Sequence, residues 1–552
     1  MSLRKAGNHI APMDDEIEEA AAPIPDGRRV ALFYQTGKHL PTVAHAKGLY
    51  LWDTEGKRYL DGCSGAFAAN LGHGDEHVIR RAKEQLDKVA FAYRTQFENE
   101  PANQLANLLA ALSPPELNRV FLVNSGSEAV ETAIKLARQY WWSLGQGGKH
   151  FIIARRPSYH GATLGALSCS DYAPLNIPFR PMLLPFQKVA APYCYHCPLE
   201  KEYPSCNLAC AYELERLIQV IDPGNVAAFI AEPIGGASTG AAVPPDEYFP
   251  IIERICHENN ILLIIDDVLT GCGRTGRFYG FQHWDVVPDI VALSKGLSGG
   301  YTPIGAVVAS DDIVRPVIDS GGFQHGHTYA GNPLSAAIAA EVVRQTVERG
   351  LVVNAAETGV YLHQCLRELK ARYDIIGDVR GRGLLAGIEF VCDRRNREPF
   401  PSHWFVALAA TEIARNHGLI IYPRRSVSGL TGDHVLIAPP LTIDRSGVDE
   451  LIDLFDATLS DLTGHLQQFI DKQAAASEDG TFERYVPPAG AEEARESLEK
   501  FKEDPNANVT WTMQSDELEV ATIEPAGASQ PPRRRSSRPP SRPSKPSHDD
   551  EE

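Results

Sequence analysis

An α/β chain built on a mainly parallel sheet is predicted by three features of the sequence. Strand-length apolar runs at 119–124, 150–154, 227–231, 261–266 and 290–294 alternate with stretches of helical spacing, the pattern of strand-crossover-strand units. The central runs are aliphatic without polar alternation; Ile261-Leu-Leu-Ile-Ile-Asp266 is the clearest, and such a run suits a strand covered on both faces. Two of these runs then end in reactive groups, Asp266 after the first and Lys295 after Ile290-Val-Ala-Leu-Ser294. Parallel sheets bind ligands at the carboxyl ends of their strands, which is where both residues fall.

Taken in order, residues before Gly27 are acidic and alanine-rich, with prolines at 23 and 25, and are expected to form a loose arm. From Ala46 to Asp61 apolar and polar residues alternate about an Asp-Thr-Glu-Gly turn, a hairpin signal. Helical spacing is present in Glu76–Val89 and Ala102–Leu112. Asn124-Ser-Gly-Ser-Glu follows a strand and opens a helix, so its glycine turn offers free backbone N–H groups backed by the helix dipole. A long helix is predicted from Asn332 to about Arg349, then a turn into a strand over Gly377–Glu389 and a strand near Val435–Leu441. Past Lys472 the chain has patches of helical pattern, and from Gln530 it is Pro/Ser/Arg-rich with an acidic end. That composition predicts a solvated, disordered tail.

An acid and a lysine at neighbouring strand ends meet the needs of one chemistry in particular. Pyridoxal phosphate is carried as an imine on a lysine, and an acid opposite its ring nitrogen keeps that nitrogen protonated so the ring can accept electrons. The lysine must lose a proton first, so a pocket that lowers its pKa from about 10.4 helps. The run Asp266-Asp-Val-Leu-Thr-Gly-Cys-Gly-Arg-Thr-Gly276, followed by Ser294-Lys-Gly296, resembles the signature of the class III pyridoxal-phosphate aminotransferases, the family that includes the omega-transaminases.

The resemblance implies the aspartate aminotransferase-like fold (fold type I), with a large cofactor-binding domain over 101–340 and a smaller α+β domain split between 31–100 and 341–471. Residues 1–30 are then an N-terminal arm, 193–210 a cysteine-bearing insert, and 472–552 an extension outside the resemblance. It further implies Lys295 as the Schiff-base lysine of an aldimine and Asp266 as the partner of the pyridine nitrogen. Gly126 and Ser127 would cradle the phosphate ester, and Tyr159, in Ser158-Tyr-His-Gly161, would lie over the pyridine ring. His160 has either a structural or a chemical role. Glu232, in Ala231-Glu-Pro233, would support the cofactor site. Thr328, in Gln324-His-Gly-His-Thr-Tyr329, fits the threonine that reaches the phosphate of another subunit's cofactor, which implies a homodimer with shared active sites.

Substrate selection is suggested by what is missing. Relatives that act on ornithine or 4-aminobutyrate carry an arginine where this chain has Leu436, and the ornithine type has a glutamate where this chain has Ala237. Relatives that act on amines and ω-amino acids carry an arginine where it has Tyr422. With Phe67 on the pocket segment, these residues predict an apolar or aromatic lining. A 2-oxo acid still needs a cation, because a planar guanidinium binds carboxylate through two bonds. Arg424 and Arg425 are the candidates, while Arg380 in the Val-Arg-Gly turn is expected to be structural.

Cys194, Cys197, Cys206 and Cys210 form C-x2-C, eight residues, then C-x3-C. The spacing is compatible with a structural metal site of four thiolates, with reduced thiols or with disulfides. With 43% apolar and 22% charged residues, the 552-residue chain has the make-up of a soluble multidomain enzyme, and its net charge of −18 argues against nucleic acid or an anionic membrane as partner. No stretch has the length of a membrane span and the N-terminus has no apolar signal core, so a cytoplasmic location is expected. The function expected is transfer of an amino group from an amine or amino acid donor to a 2-oxo acid. An aminomutase, racemase or decarboxylase would share the same fold and site. A scaffold protein that recruits partners through its tail would have no need of Lys295, Asp266 and Tyr159 together.

Overall fold

The computed structural model describes residues 40–425 and 432–479. The expected N-terminal arm and most of the C-terminal extension, its tail included, lie outside the described residues. A seven-stranded sheet organises the fold, with strand order Arg119–Val123, Gly305–Ala309, Ile290–Leu293, Leu262–Asp266, Val226–Ala231, Phe151–Arg156, Gln187–Ala190. The last five pair in parallel, whereas Gly305–Ala309 runs antiparallel to both its neighbours. All five strands predicted from the aliphatic runs are present. Two strands were not predicted: Gly305-Ala-Val-Val-Ala309 is short and built of small residues, and Gln187-Lys-Val-Ala190 carries two polar residues at the sheet edge.

Every residue of the strands Val226–Ala231, Leu262–Asp266 and Ile290–Leu293 is buried. Successive side chains point to opposite faces, which divides these strands between two cores. Leu263, Ile265, Val291 and Leu293 pack into one core with Leu105, Leu214 and Ile252 from the helices Glu100–Leu112, Ala209–Ile221 and Tyr248–Glu258. Leu262, Ile264, Ile290 and Ala292 pack into the other with Val130, Ala133 and Ala137 of the helix Gly126–Ser143. A sheet sandwiched this way has its loops at the strand ends free to carry chemistry.

A third core joins the remaining elements. The strands Ile376–Gly381, Ala386–Asp393, His434–Ile437 and Tyr422–Arg424 form an antiparallel sheet, with Glu398–Pro399 paired alongside. The helices Leu351–Arg372, Val406–Asn416 and Arg445–Asp479 supply Leu362, Leu366, Ala410, Leu451 and Phe455 to that core. The predicted hairpin is found as Tyr50–Asp53 against Arg58–Asp61, and Leu419–Ile420 adds to it in parallel. The predicted helices are observed as Glu76–Lys88, Glu100–Leu112 and Pro333–Glu348, capped by Asp75, Asn99 and Asn332.

Candidate active site

Four consecutive parallel strands deliver His160, Glu232, Asp266 and Lys295 to one end of the seven-stranded sheet, each residue lying at or just beyond its strand's carboxyl end. Asp266 is opposite Ala292 in the pairing, three residues before Lys295. The turn at Lys295 is left-handed, with φ +45°, a conformation that a non-glycine residue holds only when its surroundings impose it. The next residue explains part of that constraint. A Cβ on Gly296 would lie 2.2 Å from Asn70 Nδ2, and Asn70 is itself fixed to Cys272 O at 3.0 Å and to Arg274 Nη2 at 2.8 Å.

Asp266 is buried and held from two sides. His160 Nδ1 lies 2.7 Å from Asp266 Oδ2, and Val268 N donates to Oδ1 at 3.2 Å. An ionised carboxylate only accepts, so His160 carries its proton on Nδ1 toward Asp266. The other ring nitrogen, Nε2, is buried without a hydrogen-bond partner. Glu232 continues the buried polar group: Gly236 N donates to its Oε1 at 2.9 Å and Arg155 Nη2 lies 3.9 Å from its Oε2. Burial raises the Glu232 pKa, against the charges of His160 and Arg155. Burial is also the main reason the Lys295 pKa is lowered; Asp266 and Glu232 oppose that shift, and Arg424 adds to it.

Asp267, next in sequence, is turned to other work. Thr270 Oγ1 donates to its Oδ1 and Gly280 N to its Oδ2 at 2.8 Å, and burial pushes its pKa up to about 7. An acid whose folded pKa exceeds its unfolded value leaves stability unaffected below the unfolded pKa, and stability falls as pH rises toward the folded pKa. We therefore expect the wild-type melting temperature, measured relative to that of Asp267→Asn, to fall between about pH 4 and pH 7. Parallel pH profiles for the two proteins would contradict this.

A cradle of free backbone N–H groups forms where a helix start meets a strand end. Ser125 caps the helix Gly126–Ser143 by accepting from Glu128 N, so the N–H groups of Gly126 and Ser127 precede the helical ladder. A Cβ on Gly126 would sit 2.8 Å from Val268 Cγ1, two residues after Asp266. Only glycine lets this helix start press against the acid's strand end. Ser127 Oγ accepts from Ala162 N at 3.0 Å, which ties the cradle to the Tyr159–Gly161 turn. Tyr159 is half-buried, and burial raises its pKa, with Arg424, Tyr422 and Asp266 all near enough to contribute. An anion cradle, a half-buried lysine whose pKa is lowered by burial and a buried acid would together suit pyridoxal phosphate: Gly126 and Ser127 would hold the phosphate, Lys295 the aldehyde carbon and Asp266 the ring nitrogen.

The surroundings of Lys295 Nζ on its other side are aromatic. Phe67 is buried in a left-handed conformation, φ +65°, with its ring 5.6 Å from Lys295 Nζ and 4.8 Å from the Tyr422 ring. The segment leading to it is fastened by Asp61, which accepts from Gly65 N at 2.9 Å, and by Ser64 Oγ, which donates to Ala438 O at 2.7 Å. Leu436 and Ala237 pack in the same core as Phe67, and Tyr422 packs against it. The structure separates the two adjacent arginines. Arg424 lies over the rings of Tyr422 and Tyr172, at 4.8 and 5.5 Å, within electrostatic reach of Lys295. Arg425 lies over Phe405 and its carbonyl accepts from Tyr172 Oη at 3.3 Å. Tyr172, which frames Arg424, carried no sequence signal. Arg380 is occupied by Asp378 at 3.1 Å and Glu389 at 2.7 Å.

Two expectations fare differently. Thr328 is exposed, and no contact links it to the Lys295 group within the single chain. Cys194, Cys197, Cys206 and Cys210 do line one small cavity, but all four are free thiols, so the disulfide alternative is not observed. The structural-metal expectation is not supported either. Among the described residues no group of three or more His, Cys, Asp or Glu side chains is arranged to hold a metal ion. Burial, with the neighbouring thiols, raises the pKa of Cys194 and pushes that of Cys210 up to about 12, which keeps these sulfurs protonated. Nor is any helix among the described residues long and apolar enough to cross a membrane.

Comparison with known proteins agrees with this geometry. Residues 33–459 match the family described as aminotransferase class-III. The uncharacterized aminotransferase YodT of Bacillus subtilis is 44% identical over 430 residues, covering 78% of this chain and 97% of that protein. A putrescine–pyruvate aminotransferase of Pseudomonas aeruginosa is 38% identical, covering 75% and 89%. The crystal structure of an (S)-enantioselective omega-transaminase from Thermomicrobium roseum superposes with a TM-score of 0.74 at 37% identity, covering 78% of this chain and 96% of that one. With the strand-end lysine and acid, these likenesses settle the family: the chain belongs to the class-III aminotransferases, and its reaction is pyridoxal-phosphate-dependent transamination.

Proposed function

We propose that the chain moves an amino group from an apolar or aromatic amine to a 2-oxo acid, with Lys295 and Asp266 as catalytic residues and Arg424 as the cation that receives the 2-oxo acid's carboxylate. The observation that carries this reading is the placement of Arg424. It lies among aromatic rings within reach of Lys295, and it has no carboxylate partner among the described residues.

When bound, pyridoxal phosphate supplies the electron sink for the chemistry at the substrate carbon. Lys295, its pKa lowered by burial, is ready to act as a free amine. Its Nζ accepts the proton that the donor's carbon releases and, in the second half-reaction, hands a proton to the carbon of the 2-oxo acid. Asp266, kept in place by His160 and Val268 N, supplies the fixed negative charge behind the site, and Glu232 backs His160 from the next strand. Phe67 and Tyr422 exclude water from the face of the pocket nearest Lys295. A donor carboxylate placed against Leu436 and Ala237 would go unpaired at a cost on the order of several kcal/mol, so donors with an uncharged far end are favoured.

Arg424→Gln is expected to raise the KM for pyruvate about ten- to a hundredfold, the loss of one charge-assisted contact, while the KM for the amine changes little. Steady-state kinetics with each substrate varied in turn checks this. Equal effects on the two KM values, or better turnover of ornithine or 4-aminobutyrate than of simple and aromatic amines, would overturn the reading.

Two further points belong to the same proposal. The exposed Thr328 is available to a second copy of the chain, which supports a homodimer with shared sites. All ten cysteines are free, which suits the reducing cytoplasm.

A further inference from the structure

We infer that Tyr193 and His196, both on the cysteine-bearing insert, are positioning residues that set the arginine of the 2-oxo acid site through Glu389. The inference rests on the assignment of Arg424 made above. Glu389 is fully buried on the strand Ala386–Asp393. Tyr193 Oη donates to its Oε2, Gly432 N donates to Oε1 at 3.1 Å, Arg380 Nη2 lies 2.7 Å from Oε2, and His196 Nε2 lies 2.9 Å from Oε1 as an ion-pair contact without the alignment of a hydrogen bond. So many donors hold its carboxyl well below the usual range in spite of burial.

The pairing of the strands shows what this carboxylate positions. Glu389 is opposite His434, and His434 is opposite Arg424, so the three residues form one row across three strands. The next row on the same face, two residues along, is Gly387, Leu436 and Tyr422, and Tyr422 is the ring over which Arg424 lies. His434 is fixed in turn, its Nε2 2.9 Å from Ala237 O and its Nδ1 3.0 Å from Gly432 O. A shift of Glu389 would thus reach the strand that carries Arg424 through one intervening strand.

The insert is well placed to control that shift. It leaves the edge strand Gln187–Ala190 of the large sheet, crosses to the other sheet, and returns to the helix Ala209–Ile221. Its hold on the second sheet is broad: Arg397 Nη1 donates to Tyr195 O at 3.0 Å, and a Cβ on Gly377 would lie 2.4 Å from Tyr195 Oη. Arg380 already pairs with Glu389, although it is shared with Asp378, so the insert's two side chains are not the carboxylate's only partners. What they add is direction, because they approach the carboxylate from the large sheet while Arg380 and Gly432 approach from its own side.

The test uses full-length holoenzyme. Tyr193→Phe and His196→Gln are each expected to raise the KM for pyruvate about three- to tenfold, with the amine half-reaction rate and the KM for the amine within about twofold of wild type. In an Arg424→Gln background the same substitutions should add nothing further, since the effect acts through Arg424. Melting temperature is followed in parallel. A KM for pyruvate that stays at the wild-type value in both variants overturns the inference. So do equal losses in both half-reactions with a lowered melting temperature, which would mark the contacts as support for the fold alone. If Arg424→Gln raises the KM and the insert variants do not, the clamp fails while the proposed function stands. If Arg424→Gln itself has no effect, both fail.

Discussion

Lys295→Ala is expected to lower transamination by about a thousandfold or more, because one substitution removes both the covalent anchor and the proton carrier. The two roles can be told apart by what survives. Gly126 and Ser127 remain at the helix start, and Tyr159 and Asp266 keep their places, so the variant should still bind pyridoxal phosphate. That binding should be reversible, with cofactor lost on dialysis, whereas wild type retains it. Borohydride reduction of wild type followed by peptide mapping should place the label on Lys295. A label on another lysine would overturn the assignment, and so would turnover in Lys295→Ala near the wild-type rate. The variant should fold, since among the described residues Lys295 Nζ donates no hydrogen bond that the alanine would give up: its close neighbour is the Phe67 ring, 5.6 Å from Nζ. The close packing of Gly296 on Asn70 beside its left-handed backbone is left in place by the substitution.

Much of this site was legible because sequence order and sheet order coincide at its centre. Asp266 and Lys295 end uninterrupted aliphatic runs, and such runs become adjacent buried strands, so two chemical groups at their ends had to meet. The signal fails where contacts join remote parts of the chain. Nothing local in Tyr172 marks it as a platform for Arg424, and nothing in Tyr193 or His196 points to Glu389. The adjacent arginines could not be distinguished by type or position. Their strand ends between them, leaving Arg424 in the sheet and Arg425 beyond it, over Phe405. The four cysteines show the opposite error: their spacing allowed a metal, but spacing does not fix the directions of the side chains, and these do not form a ligand set. Thr328 is different again, since the role given to it by resemblance needs a second copy of the chain.

Asp266→Asn is the sharper test of the mechanism, since it keeps the shape of the side chain and removes its charge. The turnover number should fall about a hundred- to a thousandfold, the scale on which single preorganised electrostatic contacts act. The substitution also disturbs a hydrogen bond. His160 now donates from Nδ1 to Oδ2, and an amide nitrogen placed there would set donor against donor. Two responses are open to the pair. The amide can turn its oxygen to His160, giving up the acceptor that Val268 N uses at 3.2 Å, or the imidazole can move its proton to Nε2, which is buried without a hydrogen-bond partner. Either response preserves packing, so cofactor binding and melting temperature should change little while turnover falls. Asp267 cannot substitute, because Thr270 and Gly280 hold its oxygens and burial raises its pKa to about 7. Measured on the amine half-reaction alone, the loss should be as large as in the full cycle, because the charge is needed each time a proton leaves or rejoins the substrate carbon. Near-normal turnover in Asp266→Asn would mean that the negative charge on which the mechanism depends is not supplied by Asp266.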